Sequence, residues 1–548
     1  MNALAQAFGP ALLVATMAAP LVVLAASMWP GARRLARAMA PLAPLLALAA
    51  AILALAGAPF GAELPSLRMS FCLDRPGAML LLAAALVWIV SGVFALAGPP
   101  GRPNAGRFAV SWLLTMTGSL GVFIAADLLT FYLVYALVSV PAYYLIAHDD
   151  GSAGSRRAGG VYMAFALLGE AALLIAFVLL ATGEPGGSLS IRDVVAALPS
   201  SPWRDAAVGL LVVGFGMKIA LVPMHGWMPL SYAAAPIPAA AVLSGAAVKA
   251  GVIGLIRFLP LGAAMSGWGE ALAWAGFASA FYGVAIGLAQ KDPKTVLAYS
   301  SISQMGVIAA ALGLGLASGD QTAAPDVAFY AANHTLVKAA LFLTIGAVAA
   351  LGEQRLLPGL IVAALLGLSL GGLPLTGGEL AKLAVKDAFA DGAAKWASQA
   401  SAAASTALML HFVFRLARTP RAERASASPE RLWSWLVLAA LSMLVPWLMF
   451  PAIGGSLADT VAAGTLWDAL WPMLIGAALA GAFWAMGEPA PRIPPGDIVV
   501  AEEAAFRGLA PLGALAERID WTFRQWPAAG LSLLTIALAL AAAGFASR

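Results

Sequence analysis

Apolar residues along this chain form long uninterrupted runs. Each run is about 20 residues long, the length that an α-helix needs to cross a hydrocarbon core of about 30 Å. The pattern predicts an all-α polytopic membrane protein. About sixteen runs are present, near residues 8–29, 38–58, 77–98, 108–126, 128–147, 160–182, 206–228, 237–260, 268–290, 295–316, 326–350, 357–390, 397–417, 431–453, 464–487 and 528–546.

Basic residues between the runs are concentrated in alternate loops. Roughly nineteen Lys and Arg residues lie in the odd-numbered loops and about six in the even-numbered loops. Because short cytoplasmic loops carry the excess of positive charge, the odd loops are predicted to be cytoplasmic. No basic residue precedes Arg33, so the first run lacks the basic region of a signal peptide and is predicted to be a retained helix. We expect a multi-pass protein of the bacterial inner membrane with a periplasmic N-terminus.

Two of the runs are interrupted by Pro and Gly. The run at 206–228 contains Pro223 and Gly226, and the overlong run at 357–390 contains Pro374 among several glycines. Interrupted helices at corresponding places in two halves are typical of inverted-repeat transporters. The predicted divisions are N-terminal helices 1–3 (1–107), a first inverted repeat of helices 4–8 (108–262), a second of helices 9–13 (263–420), helices 14–15 (421–487), and a cytoplasmic linker with a final transmembrane helix (488–548).

The composition agrees with this class and excludes several functions. Of the 548 residues, 61% are hydrophobic and 11% are charged, whereas a soluble domain has about 25% charged residues. The single cysteine, Cys72, excludes an internal disulfide and a multi-cysteine metal or iron–sulfur site. No nucleotide-binding motif or nucleophile constellation rises above chance. We therefore expect no cofactor in this chain, no catalytic centre of its own and no nucleic-acid partner.

A small set of ionisable residues lies inside the apolar runs, where a charge costs roughly 2.5–3.5 kcal/mol and marks a functional site. His334 and Lys338 are four residues apart, and so share one helix face. Because each proton hop needs a donor and an acceptor about one water apart, a line of such groups predicts proton transfer. The predicted relay consists of Lys218, Lys249, His334, Lys338, Lys382, Glu170 and His225, with Glu379 and Lys386 as secondary candidates.

Some of these residues have a simpler interpretation. Lys249 and Lys386 can extend their amines to the membrane interface, as long basic side chains near helix ends often do. His225 can satisfy carbonyl groups that the first break leaves without partners. His148 and His411 are interpreted as interfacial residues.

Four ordered stretches carry a resemblance to a known family. They are KIALVPMHGWMPLSYAAAPIPAAAVLSGAAVKAG (Lys218–Gly251), QKDPKTVLAYSSISQMG (Gln290–Gly306), NHTLVKAALF (Asn333–Phe342) and GLPLTGGELAK (Gly372–Lys382). They resemble the antiporter-like subunits of respiratory complex I, membrane-bound hydrogenases and Mrp-type cation/proton antiporters. The resemblance covers roughly residues 70–420. It implies a core of about 14 helices with two inverted five-helix repeats, each with a broken helix, plus extra C-terminal helices.

The resemblance also implies roles for individual residues. Lys218 takes the place of the family's lysine on the first broken helix, and Lys249 that of the bridging lysine on the next helix. His334 and Lys338 match the relay of the second repeat. Lys382 matches the terminal lysine or glutamate on the second broken helix.

One position departs from the family pattern. Where the family has a glutamate that pairs with the lysine at Lys218, this chain has Ala136. Glu170, on the next helix, is the nearest buried carboxylate along the sequence. We expect Glu170 to substitute for the missing acid.

Three functions are consistent with the sequence. The first is a proton-translocating, antiporter-like membrane subunit of a redox-driven complex, complex I-like or hydrogenase-type, with other membrane subunits and soluble redox subunits as partners in the lipid bilayer. The second is the membrane subunit of an inorganic-carbon (CO2/bicarbonate) uptake complex energised by proton influx, with a soluble zinc protein as partner. The third is a structural subunit with impaired pumping, motivated by Ala136. The sequence does not separate the first two, because partner proteins carry the distinguishing chemistry.

Overall fold

The computed structural model describes residues 2–98, 104–149, 151–351, 355–390, 392–419, 428–487, 493–500 and 503. The chain forms two compact units, Met1–Pro495 and Gly496–Arg548. Most of the second unit lies outside the described residues. The predicted last span near 528–546 therefore also lies outside them.

The N-terminal part of the first unit combines membrane-length helices with one small β-hairpin. Strands β1 and β2 pair antiparallel, with Phe60 opposite Leu73 and Leu64 opposite Met69. The sequence pattern did not predict this hairpin. The elements are α1 (Asn2–Met28), α2 (Arg33–Met39), α3 (Leu45–Ala56), β1 (Phe60–Leu64), β2 (Met69–Leu73), α4 (Arg75–Leu96) and α5 (Ala105–Gly121).

The middle part contains the first interrupted helix. A π-helical segment, Leu243–Ala247, lies between α12 and α13. The elements are α6 (Leu128–Ser139), α7 (Ala142–Ile146), α8 (Ala153–Gly183), α9 (Ile191–Ala197), α10 (Arg204–Ile219), α11 (Trp227–Ala234), α12 (Ile237–Val242) and α13 (Lys249–Phe258).

The last described part contains the second interrupted helix. Its central helix, α16, packs against α4, α12, α15, α17, α18 and α20. Residues on α16 therefore lie in the interior of the bundle. The elements are α14 (Ser266–Leu288), α15 (Pro293–Ser318), α16 (Ala323–Val348), α17 (Leu356–Gly371), α18 (Gly377–Ala384), α19 (Gly392–Ala417), α20 (Pro429–Met449), α21 (Leu457–Thr460) and α22 (Ala463–Ala485).

The predicted fold class is confirmed. Among the described residues, 12 helical segments are long and apolar enough to cross a membrane. Three further predicted spans coincide with α5, with α10 and α11, and with α17 and α18. Helix α5 has 17 residues, and a break divides each of the other two spans into two shorter helices.

Several helices begin where the sequence supplies an aspartate cap. Asp74, Asp127 and Asp292 each accept a hydrogen bond from the backbone N–H three residues later, at 2.9, 2.7 and 2.9 Å. An acidic side chain at this position satisfies a donor that the first helical turn leaves unpaired. These caps fix the starts of α4, α6 and α15, and α6 and α15 carry polar residues of the site described below.

Both predicted helix breaks are present and share one backbone motif. The residue that follows the first half of each broken helix is left-handed, Ala220 with φ 60° and Gly372 with φ 96°. The next residue donates its backbone N–H to a carbonyl five residues earlier, at 2.9 Å in the first break and 3.0 Å in the second. This is the Schellman termination of a helix, which satisfies its last carbonyl groups. At both breaks, therefore, the first half of the helix ends with its last carbonyl groups hydrogen-bonded.

Helices α14 and α15 pack against each other through glycines spaced seven residues apart. Gly269, Gly276 and Gly283 on α14 meet the backbone of α15, and Gly306 and Gly313 on α15 meet the backbone of α14. A Cβ atom added at Gly276 would lie 2.5 Å from a backbone nitrogen of α15. Small residues allow membrane helices to approach this closely. The backbones of the two helices are therefore in close contact.

Candidate functional site

Lys218 lies in the last turn of α10, immediately before the first break. Its residue is 8% exposed, and its Nζ donates a hydrogen bond to Ser139 Oγ on α6 at 2.8 Å. The rings of Tyr135 and Tyr162 lie 5.3 and 5.9 Å from the same nitrogen. Aromatic faces at this distance attract an ammonium group, so the pocket accommodates the charged amine.

Glu170 lies on α8, the helix that also carries Tyr162. Its residue is 6% exposed, and it interacts electrostatically with Lys218. Its Oε1 atom has no hydrogen-bond partner among the described residues. Ala136 lies one helical turn before Ser139 on α6. Glu170 on α8 and Ala136 on α6 thus lie on two helices that border Lys218, and the role of Glu170 as the substitute acid stays a prediction.

The π-helical segment Leu243–Ala247 precedes Lys249 and supplies the backbone carbonyl that its amine binds. Within it, Val248 donates its backbone N–H to Leu243 O at 3.1 Å, five residues back instead of four. The carbonyl of Ser244 therefore lacks its usual helical donor, and it accepts a hydrogen bond from Lys249 Nζ at 3.0 Å. Such π-helical turns are frequent at functional sites.

Lys249 and His334 are in direct contact between α13 and α16. Both residues are 0% exposed, and Lys249 Nζ lies 2.6 Å from His334 Nδ1. Either the amine donates to the ring nitrogen or the ring donates to the neutral amine. One proton therefore occupies the line between the two nitrogens. This contact excludes the simpler interpretation in which Lys249 extends to the membrane interface.

Two buried serines connect this pair to Lys338. Lys338 is 0% exposed, and its Nζ donates to Leu297 O on α15 at 2.9 Å. Ser301 Oγ donates to the same carbonyl at 3.0 Å and lies 3.1 Å from Ser244 Oγ. Because Ser244 O holds Lys249, hydrogen-bonded groups link Lys249 and Lys338 across three helices.

The cluster of Lys249, His334 and Lys338 carries no compensating acid. No carboxylate forms an ion pair with any of the three in the described ranges of the chain. Adjacent buried positive charges repel each other strongly in a medium of low dielectric constant. The arrival of a proton at one of these groups therefore favours the departure of a proton from another.

A second polar network continues along the same face of α16. Tyr330 lies four residues before His334, and its hydroxyl donates to Gln304 Oε1 on α15 at 2.7 Å. Gln304 Nε2 donates to Ser405 Oγ on α19 at 3.0 Å. All three are buried. The sequence prediction did not include this network.

Lys382 and Glu379 lie just after the second break, on α18. The Lys382 amine donates to Gly371 O, the last carbonyl of α17. Glu379 is 1% exposed and accepts the backbone N–H of Leu375, while its Oε1 has no hydrogen-bond partner among the residues described. The amines of Lys218 and Lys382 thus both lie at the C-terminal end of the first half of a broken helix, although Lys382 itself belongs to the second half. The negative end of the helix dipole stabilises a cation there.

The remaining predicted residues lie apart from these contacts. The Lys386 side chain is 57% exposed and lies 3.6 Å from Asp468 on α22, which agrees with the simpler interpretation given for it. His225 is fully buried in the first break, with its ring 4.8 Å from that of Tyr282. His411 is also fully buried, with Nε2 3.0 Å from Gln290 O. Gln290 lies in the loop between α14 and α15, and the interpretation of His411 as an interfacial residue stays a prediction.

Sequence reasoning missed Ser139 and the serines near Lys249. Ser139 could have been found from helix periodicity, because it lies three residues after Ala136 and shares its helix face. Ser244 and Ser301 could not, since their contact depends on how α15 packs against the π-helical segment. The described residues contain no group of three or more His, Cys, Asp or Glu side chains placed to hold a metal ion.

The fold, with its two broken helices and buried lysines, defines an antiporter-like membrane subunit. The family model described as "NADH:quinone oxidoreductase/Mrp antiporter, TM" matches residues 125–407, more than half of the chain. The chain therefore belongs to this family, and the resemblance seen in the sequence is confirmed.

Individual relatives come from several branches of the family. NADH-quinone oxidoreductase subunit N of Desulforudis audaxviator is 34% identical over 285 residues, covering 49% of this chain and 55% of the relative. Hydrogenase-4 component B of Escherichia coli is 30% identical over 291 residues, covering 50% of this chain and 43% of the relative. The chain thus spans about half the length of these curated relatives.

A solved structure shares the fold over almost the whole chain. A chain of the Mrp complex from Dietzia sp. matches with a TM-score of 0.74 and 20% sequence identity, covering 98% of this chain and 63% of that chain. At this identity the likeness establishes the fold alone. These proteins are named as a subunit, a component and a complex, respectively.

Proposed function

We propose that this chain is a proton-translocating, antiporter-like membrane subunit of a redox-driven complex of the complex I or hydrogenase type. The observation that carries the proposal is the 2.6 Å contact between Lys249 Nζ and His334 Nδ1 in the buried interior. Two proton-binding groups without a compensating acid are a costly way to stabilise a membrane bundle. They are well suited to hold and pass one proton.

The relay proposed for this chain has three sections. Glu170 and Lys218 form the first, Lys249, His334 and Lys338 the second, and Lys382 with Glu379 the third. In the first section Lys218 donates to Ser139 and interacts electrostatically with Glu170. In the second section Lys249 contacts His334 directly, and hydrogen bonds through two serines and a backbone carbonyl connect Lys249 with Lys338. Each proton transfer changes the charge that the next section experiences, which drives the next transfer.

Waters would complete the path between the sections. Glu170 Oε1, His334 Nε2 and Glu379 Oε1 are buried and lack a protein hydrogen-bond partner among the described residues. Buried polar atoms of this kind are normally satisfied by ordered water. His225 in the first break and Lys386 beyond Lys382 would exchange protons with the ends of the path.

The proposed orientation follows from the distribution of basic residues among the loops. The proposed partners follow from the similarity to subunits of larger complexes. The basic odd-numbered loops would face the cytoplasm of a bacterium, which places the N-terminus in the periplasm. Relatives named as subunits of an NADH-quinone oxidoreductase and of a hydrogenase support other membrane subunits and soluble redox subunits as partners.

Reconstitution tests this proposal. The full-length chain, with any subunits that co-purify, is placed in liposomes containing a pH-sensitive dye, and a potassium diffusion potential drives proton uptake. We expect uptake by the wild type and an at least tenfold slower rate for Lys249→Met, because methionine matches the size of lysine and binds no proton. Lys395→Met, at an exposed position of α19, is the matched control. Wild-type uptake no faster than that of empty liposomes would refute the proposal.

A further inference from the structure

We propose that Lys294 is a positioning residue for Lys218: it holds the C-terminal end of α11, and through α11 it keeps Trp227 in place beside Lys218. This inference rests on the proposed function and adds a residue that lies outside the relay. Lys294 transfers no relay proton itself. It acts through α11, the second half of the first broken helix.

Lys294 connects two helices through a pair of short hydrogen bonds. It is the second residue of α15, and its Nζ donates to Ala233 O at 2.6 Å and to Ala235 O at 2.7 Å. Ala233 lies in the last turn of α11, and Ala235 directly follows that helix. The last carbonyl groups of a helix have no donor within it, and a cation is stabilised at that end. The Lys294 ammonium group therefore fixes the C-terminal end of α11.

The backbone that carries Lys294 is itself anchored. Asp292 caps α15 by accepting hydrogen bonds from Thr295 N and Thr295 Oγ1, both at 2.9 Å. Leu297, three residues after Lys294, supplies the carbonyl that accepts a hydrogen bond from the Lys338 amine at 2.9 Å. Lys294 thus ties α11 to the first turns of α15, which also bind Lys338.

The other end of α11 reaches the surroundings of Lys218. Trp227, the first residue of α11, donates its indole N–H to Met217 O at 2.8 Å, and Met217 directly precedes Lys218. The Trp227 ring lies 5.4 Å from the ring of Tyr162, which borders the Lys218 amine. Trp227 and Lys218 also line the same cavity. The position of Trp227 therefore helps to define the site of the Lys218 amine.

Helix α11 is short enough for a displacement at one end to be felt at the other. Its eight residues make about two turns, or about 12 Å. It begins directly after the first break and ends before Pro236, so neither end continues into a longer helix. Loss of the hydrogen bonds at Ala233 and Ala235 should therefore let α11 shift relative to α15 and move Trp227 relative to Lys218.

The alternative is a lysine that contributes to stability alone. Its removal would leave two carbonyl groups without their donor and lower the melting temperature. The rate of proton uptake per folded protein would then stay unchanged. Lys291, three residues earlier in the chain, is exposed and provides a matched control for the loss of a positive charge.

The test measures proton uptake per folded protein in the liposome assay. We expect Lys294→Met to slow uptake at least fivefold, because its side chain cannot donate to the two carbonyl groups. Lys294→Arg should retain at least half of the wild-type rate, since a guanidinium group has donors for both, and Lys291→Met should behave as the wild type. Wild-type uptake in Lys294→Met would overturn the inference. So would equally slow uptake in the methionine and arginine variants.

A double-mutant cycle tests the route through α11. Trp227→Phe keeps an aromatic ring and removes the hydrogen bond to Met217, so we expect it to slow uptake at least threefold. Because Lys294 acts through Trp227, the variant with both Lys294→Met and Trp227→Phe should be no slower than the slower single variant. Effects that multiply in the double variant would show that Lys294 acts by another route and would overturn the inference.

The assay also separates this inference from the proposed function. If the wild type takes up no protons, the proposed function fails. If the wild type takes up protons, Lys249→Met does not and Lys294→Met does so normally, the relay stands and only the role of Lys294 is wrong.

Discussion

The four lysines of the proposed relay share one feature at the scale of single residues: each amine donates a hydrogen bond to an uncharged oxygen. The partners are Ser139 Oγ for Lys218, Ser244 O for Lys249, Leu297 O for Lys338 and Gly371 O for Lys382. An uncharged oxygen accepts a hydrogen bond from an ammonium group without binding it as strongly as a carboxylate does. Each amine can therefore gain and lose its proton.

The first prediction at this scale concerns Glu170. Glu170→Gln removes the acid but keeps the shape of the side chain, so proton uptake should fall at least tenfold, as in Lys218→Ala. Adding Ala136→Glu to Glu170→Gln should restore part of the rate, because a carboxylate then returns to α6. Proton uptake into liposomes measures all three variants. Unchanged uptake in Glu170→Gln together with its loss in Lys218→Ala would show that Glu170 is not the substitute acid.

The contacts of these residues were only partly predictable from the sequence. Polar residues inside apolar runs identified Lys218, Lys249 and His334, because a buried charge is conspicuous against a hydrophobic background. The partner of each lysine was not predictable in the same way. Ser139 and Ser244 are ordinary helix residues, and only the packing of distant helices brings them to an amine.

At the scale of elements, the sequence predicts some departures from a continuous helix and misses others. The breaks in 206–228 and 357–390 were predicted because Pro and Gly disrupt helical hydrogen bonds locally. The π-helical segment Leu243–Ala247 was not predicted, since the segment itself contains no proline and its extra residue lies where it packs against α16. The β-hairpin was missed because its strands are shorter than the window that detects membrane spans.

The glycine contact between α14 and α15 gives a prediction at this scale. In Gly276→Leu the new side chain would meet backbone atoms of α15 at its first carbon, so we expect a loss of about 1–3 kcal/mol and a lower melting temperature. Gly481→Leu on α22 is the control, because a Cβ atom there meets nothing within 4 Å. Thermal denaturation followed by size-exclusion chromatography measures both. Equal melting of the two variants would show that the helices can separate without cost.

At the scale of the whole molecule, the proposed relay needs an energy source to drive proton translocation. The described residues contain no such source. The family groups subunits of NADH-quinone oxidoreductases and hydrogenases with Mrp antiporters, so partner proteins distinguish the members. The alternative function, a membrane subunit of an inorganic-carbon uptake complex, also differs from the proposed function in its partner proteins. The internal path is compatible with either energy source.

Purification of the tagged protein in mild detergent, followed by mass spectrometry, identifies these partners. We expect subunits that bind iron–sulfur clusters, nickel or flavin, since a redox-driven complex requires them. A single large soluble zinc protein in their place would contradict the redox assignment. It would favour carbon uptake with protons moving inwards. The same membrane carrying an unrelated tagged transporter is the control for non-specific association.

The central claim is that one buried path crosses the molecule from Lys218 to Lys382, and Lys382→Met tests it most directly. Lys382 lies on the other broken helix, and its amine contacts Gly371 rather than any of the other relay lysines. Proton movement is measured in membrane vesicles while the native complex turns over. The account predicts that Lys382→Met stops proton movement although the complex assembles at its normal size. Normal proton movement by this variant would contradict the account and remove Lys382 from the path.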